Sequence, residues 1–185
     1  MAGTVNVGEV IRRFREDQKL SVRTLASKCG FSPSFISQVE NGQASPSINS
    51  LERIALALGI TLGDFFQARE APPPSVIRAG SRPTFQSQWS RARIEALGPV
   101  GRGEKLEPVM ITLSLGGSSG KRPFARPTEQ FAMVFDGKVV LTLDQEEHTL
   151  RRGDAVTIPS GVPHRWENPW PRAAKILIVS VNPVR

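Results

Sequence analysis

The chain holds two histidines, His148 and His164, and a single cysteine, Cys29. Transition metals prefer imidazole, thiolate or carboxylate donors. A three-histidine centre is therefore out of reach within one chain, and so is an intrachain disulfide. No serine, histidine and acid stand at a spacing that suggests a nucleophile with its base. Glu146 and Glu147 are adjacent carboxylates, but they fall on a polar turn and read as a solvated face. The run Gly116-Gly117-Ser118-Ser119-Gly120 lacks the Lys-Ser/Thr of a nucleotide-binding phosphate loop. Clearer chemistry lies nearer the start. Arg12, Arg13, Arg15, Lys19, Arg23 and Lys28 form a basic cluster suited to a polyanion. Ser34, Ser37 and Gln38 follow it, and serine and glutamine can read base edges in a major groove.

The elements that must carry these residues are helices. Val7, Val10, Ile11 and Phe14 keep helical spacing, with Asn6 and Glu9 as a capping box. Ser21 caps a second helix, with Val22, Leu25, Ala26 and Cys29 on one face, and Gly30 ends it. Ser32 and Pro33 open a third, which runs to about Asn41 before Gly42. Ser47 opens a fourth over Leu51, Ile54, Ala55 and Leu58, stopped by Gly59. Thr61 opens a short fifth with Leu62, Phe65 and Phe66. The proline run in residues 71–75 cannot continue a helix and makes a semi-rigid linker. Beyond it, short apolar runs at 109–115, 131–135, 139–143, 155–158 and 176–181 read as strands, with Asp136-Gly137 as a hairpin turn. The fold class expected is α + β in two domains. Residues 1–70 make a five-helix head, 71–75 a linker, and 76–185 a β-barrel.

The net charge is +7 over 185 residues, with a pI of about 10.5. The first seventy residues hold eight basic and seven acidic side chains, so the excess sits in the barrel half. The cluster is thus better evidence for nucleic acid than the global charge. The lone cysteine, an N-terminus without the apolar core of a signal peptide, and the shortness of the apolar run 176–181 point to a reducing cytoplasm.

The turn Gly30-Phe31-Ser32 joins two short helices, which is helix-turn-helix geometry. The segment Ser21 to Asn41, followed by Gly42, Pro46, Leu51, Ile54, Ala55, Leu58 and Gly59, resembles the lambda-repressor-like (Xre) family. The likeness covers about sixty residues, and Ser32 to Gly42 looks like the recognition helix and its end. Helical position turns Ile36 and Val39 inward. It turns Ser34, Ser37 and Gln38 toward bases, while Arg15, Lys19, Ser21, Arg23 and Asn41 suit phosphates. A helical domain used only for protein contacts is the bland alternative.

The later half resembles the cupin superfamily, the double-stranded β-helix. Gly153, Pro159, Gly161, His164 and Asn168 match every fixed position of the second cupin motif. The resemblance implies metal ligands at four positions, and here these are Phe124, Arg126, Gln130 and His164. Three of the four depart from the pattern, so neither metal nor cofactor is expected, and the site reads as a former metal pocket. What replaces the metal is read as a small-molecule effector, carboxylate-bearing, with Arg126 as its anchor. The order of the two parts resembles Xre–cupin regulators. That implies a sequence-specific DNA-binding repressor, homodimeric, with an effector-sensing barrel and no catalysis. Two other readings stay open at this level: a cupin enzyme, of dioxygenase or isomerase type, carrying a DNA-binding head, and a barrel that serves only to dimerise.

Overall fold

A computed structural model describes residues 6–66, 76–98 and 105–181. The linker read at 71–75 lies outside them. The head has four α-helices: α1 Val7–Asp17, α2 Val22–Cys29, α3 Pro33–Glu40 and α4 Ile48–Leu58. The fifth helix expected after Thr61 is instead a 3-10 turn, Gly63–Phe66. The reason is local. Thr61 N–H donates to Asp64 Oδ2 at 2.7 Å, and Asp64 N–H donates back to Thr61 Oγ1 at 3.2 Å. Backbone bonds Asp64 to Thr61 and Phe65 to Leu62 then close at i→i+3 and tighten the turn.

The caps follow the sequence. Ser21, Ser32 and Ser47 each accept a bond from the backbone N–H three residues on. Gly30 closes α2 in the left-handed region at φ 67, where a Cβ would be strained. Ile11, Leu25, Ile36, Leu51, Ile54, Leu62 and Phe65 are buried together as the head's core. Gly8 lets α1 lie directly on the end of α3, because a Cβ there would stand 2.4 Å from the Val39 carbonyl oxygen.

The barrel is two sheets. One runs β1 (Thr84–Ser87), β2 (Ala92–Ala96), β3 (Leu106–Leu113), β11 (Ala174–Val181), β6 (Glu129–Asp136) and β9 (Ala155–Ile158). The other runs β4 (Gly117–Ser118), β10 (Pro163–Asn168), β7 (Lys138–Leu143) and β8 (Glu146–Arg151), with β5 (Phe124–Ala125) also paired to β10. Side chains alternate between core and surface along the long strands β3, β6 and β11, whereas β8 is exposed along nearly its whole length. Val109, Ile111 and Leu113 of β3, Ile176 and Ile178 of β11, and Ala132 and Val134 of β6 face Val139, Leu141 and Trp166 of the second sheet.

One inward row breaks this apolar pattern. The register sets Glu107 opposite Ser180 and Ser180 opposite Gln130, and all three are buried. At this end the barrel meets the head. Asn49 of α4 donates its backbone N–H to Ser119 O and its Nδ2 to Arg122 O, both at 2.9 Å. Gly120 leaves room for that contact, since a Cβ on it would meet the Asn49 side chain at 2.7 Å. Glu107 Oε1 accepts from the Gly63 backbone N–H. Arg126 faces Glu52 of α4, Nε to Oε1 at 3.6 Å.

Candidate functional site

Two faces carry candidate chemistry. On the head, α3 begins at the Ser32 cap, with Pro33 preset for its first turn. Ile36 and Val39 are buried, so the opposite side of α3 faces out. Ser34 and Gln38 are exposed there and Ser37 is half-buried, as the helical positions require. Lys19, Ser21 and Arg23 are exposed at the junction of α1 and α2. Ser21 spends its hydroxyl on the Thr24 N–H at 3.0 Å, as a cap.

Arg15 sits differently from its sequence assignment as a phosphate contact. Its side chain is 11% exposed and forks onto Glu40, Nε to Oε1 at 2.7 Å and Nη2 to Oε2 at 2.9 Å. Nη1 donates to Leu20 O at 2.9 Å. The hydrogen bond to Glu40 raises the arginine's pKa above its ordinary value, against a smaller cost of burial. Arg15 therefore locks α1 to α3 inside the head. The basic cluster could be seen in the sequence, but its partner 25 residues away could not. Asn41 is also tied in place, its Oδ1 accepting from Arg12 Nη2 at 2.5 Å. Arg53 went unnoticed in the sequence. It donates to Cys29 O at 2.5 Å, lies over the Phe31 ring at 4.3 Å, and so braces the turn between α2 and α3. Its signal was its position near the middle of α4, where an apolar face meets a helix end.

In the barrel, Phe124 and His164 are register partners on β5 and β10, so their side chains share a face. Gln130 Nε2 donates to Ser180 Oγ at 3.0 Å, and Arg126 Nη1 donates to the same oxygen at 2.8 Å. Gln130 Oε1 is buried with no partner. His164 Nδ1 lies 3.0 Å from Val162 O. A carbonyl can only accept, so Nδ1 carries the proton and Nε2 is an acceptor in the neutral ring. Burial holds the His164 pKa below its ordinary value; the Val162 bond opposes this, and the Arg126 charge adds to it. Arg126, Gln130 and His164 thus converge about the polar row, with Phe124 across from the histidine. Glu52, Glu107 and Ser180 complete the cluster and were missed, because only tertiary register brings them there.

These groups do not fit the metal that a cupin fold implies. Phe124 offers no donor, the Arg126 guanidinium repels a cation, and His164 is the single imidazole. His148, the other histidine, is on β8, 3.7 Å from Glu146. Among the described residues no group of three or more His, Cys, Asp or Glu could hold a metal ion. Part of the barrel's excess positive charge gathers elsewhere. Lys138, Arg151, Arg152 and Arg172 line a hollow of about 410 Å³ with Asp136 and Trp170.

Comparison with known proteins agrees with both halves. The family pattern described as "Helix-turn-helix" matches residues 11–65, and that described as "Cupin domain" matches 109–180. The HTH-type transcriptional regulator PuuR of Escherichia coli (strain K12) is 29% identical over 163 residues, covering 87% of this chain and 86% of that protein. The HTH-type transcriptional regulator SutR of the same organism is 25% identical, over 85% and 84%. An HTH_3 family transcriptional regulator from Vibrio cholerae superposes with TM-score 0.72 at 22% identity, over 97% of this chain and 96% of that one. Hydroxypropylphosphonic acid epoxidase from S. wedmorenis superposes with TM-score 0.52 at 20% identity, over 97% and 98%. At such identities the two structures speak for the fold alone. The chain thus joins, in one polypeptide, a helix-turn-helix region to a cupin region.

Proposed function

We infer that this chain is a DNA-binding transcriptional regulator whose α3 reads bases in the major groove. The observation that carries this is the outward polar face of Ser34, Ser37 and Gln38 on a helix whose other side is core. Curated relatives that span both domains are transcriptional regulators. Lys19, Ser21, Arg23 and Asn41 are read as phosphate contacts beside that face. Titrating the full chain against fragments selected from genomic DNA, with fluorescence anisotropy as readout, tests the reading. Preference for selected fragments over random duplex supports it, and equal affinity for both refutes it.

The finer reading is a cytoplasmic homodimeric repressor. A DNA-bound dimer blocks polymerase by occupancy alone, with no activating contact needed. Leu106, Val181 and Phe131 are exposed on the three neighbouring strands β3, β11 and β6, with Phe135 further along β6. This outer apolar face favours a second copy as its cover. Residues 1–70 serve as the head and 76–185 as the sensor, with 71–75 setting the spacing. The barrel takes a small carboxylate at Arg126, among Phe124, Gln130 and His164. We read the chain as a regulator and not an enzyme. The epoxidase shares its fold, but here His164 lacks the donors that would build a metal centre around it.

A further inference from the structure

We propose that Arg126 is shared between ligand and head: a small carboxylate that takes its guanidinium displaces Glu52, and barrel occupancy is thereby passed to the head as release from its dock. This rests on the effector reading of the same site.

The present pairing of Arg126 is loose. Its Nε lies 3.6 Å from Glu52 Oε1, beyond hydrogen-bond distance, while Nη1 is held by Ser180 at 2.8 Å. A ligand carboxylate can accept two parallel bonds from the guanidinium fork, and such pairs are about twice as strong as neutral hydrogen bonds. The cluster also has an unmet polar demand. Ser180 Oγ accepts from both Arg126 Nη1 and Gln130 Nε2, which uses both of its lone pairs. Whichever way the Gln130 amide is turned, one end lacks a partner. Gln130 is 1% exposed, so the unmet end looks into the barrel and not into solvent. A carboxylate only accepts, so one seated on Arg126 meets this demand with the amide turned: Oε1 takes the Ser180 proton and Nε2 is free to donate to the ligand.

The consequence for the head follows from charge. Glu52 and Glu107 are both buried, and burial pushes both carboxyls above their ordinary range while the Arg126 charge opposes it. Arg126 is thus the counter-charge for two acids, Glu52 from the head and Glu107 from the barrel. Once a ligand takes it, those acids face each other in a water-poor seam. Leaving a buried charge unpaired is strongly unfavourable, and separating α4 from the barrel returns Glu52 to water. Among the described residues the seam is otherwise held by the two Asn49 bonds and by the Gly63 N–H and the Thr61 side chain, both on Glu107. An uncharged ligand leaves the Arg126–Glu52 pair intact, and a cationic one is drawn to the acids and tightens the dock.

The test uses the full-length chain, labelled for NMR, with acetate as probe, acetamide as its neutral match and methylammonium as the cation. Acetate is expected to shift the Arg126 Nε–H resonance. It is also expected to speed amide exchange at Asn49 and Gly63 by about tenfold or more at saturation, and the other two probes should do neither. Arg126→Ala should lose the acetate response. Glu52→Gln, which keeps the shape but has no charge to strand, should bind acetate more tightly and keep exchange at Asn49 and Gly63 slow with or without the probe. Glu52→Asp, which keeps the charge on a shorter arm, serves if the glutamine variant does not fold. An Arg126 shift with unchanged exchange overturns the coupling and leaves the effector site standing. No Arg126 shift with acetate, or release by methylammonium, overturns the site itself.

Discussion

The head and the barrel handle buried polarity in opposite ways. In the head, the buried carboxylate of Glu40 meets a two-pronged Arg15 at 2.7 and 2.9 Å, and Arg53 closes the exposed end of α2. The polar groups left over point to solvent on one side of α3. In the barrel, Arg126 pairs at 3.6 Å, Gln130 has an orphaned atom, and two acids share one cation. A reading head must hold its recognition helix rigid, and among its described residues no buried side-chain polar atom lacks a partner. A sensing chamber must leave something for a ligand to complete. The same residue type, arginine beside buried glutamate, is a rivet in one domain and, on the proposed reading, an exchangeable contact in the other.

The sharpest break in this comparison is expected at Arg15. Arg15→Ala leaves the buried Glu40 only the looser contact with Arg12, Nε to Oε2 at 3.5 Å, and should cost the head about 3 kcal/mol, measured by urea denaturation. Loss of DNA affinity without loss of stability would make Arg15 a phosphate contact after all. The α3 face should behave in reverse. Gln38→Ala is expected to leave unfolding unchanged and to lower affinity for the preferred site by about 1–3 kcal/mol, with relaxed choice at one base pair. Competition titrations with single-base variants of the site check this. Arg23→Ala should weaken all sequences alike and reduce the magnitude of the salt-dependence slope by about 1, read from affinities at several salt concentrations.

Much of this division could be read before the structure. The serine caps, Gly30 and the inward Ile36 and Val39 follow from local rules, because a cap or a helical face is decided within four residues. The runs read at 131–135, 139–143, 155–158 and 176–181 fall within β6, β7, β9 and β11, and that at 109–115 overlaps β3, which ends at Leu113. The short and polar strands β1, β2, β4, β5, β8 and β10 escaped, since pairing and not apolar content makes them. The fifth helix is a single 3-10 turn, because after the Thr61–Asp64 cap the backbone bonds close at i→i+3. The roles of Arg15 and Arg126 were illegible for one reason. Each depends on a glutamate, Glu40 or Glu52, brought close by folding and invisible to spacing.

Two smaller effects probe the burial itself. His164 is held below its ordinary value of 6.5, mainly by burial. A lowered folded pKa means that its contribution is intact above 6.5 and is lost as pH falls through the folded value. Glu52 and Glu107 have raised values, so their contribution runs the other way: it is present below 4.5 and lost as pH rises through their folded values. The difference in melting temperature between wild type and His164→Asn should therefore shrink as pH falls below 6.5, and a constant difference would contradict the assignment. Cys29 is buried and its thiol is pushed up to about 11. It should resist iodoacetamide at neutral pH until the head unfolds, followed by mass spectrometry.

The central claim is that the outward face of α3 reads sequence, and in a symmetric pair. The most direct measurement is selection of bound duplexes from a random-sequence pool by the full-length chain, followed by sequencing. Enrichment of a pseudo-palindrome with half-sites one helical turn, ~10 bp, apart is expected. Gln38→Ala should lose the preference at one position in each half. Recovery of duplexes with no shared motif, or a motif unchanged by Gln38→Ala, Ser34→Ala and Ser37→Ala together, would contradict it.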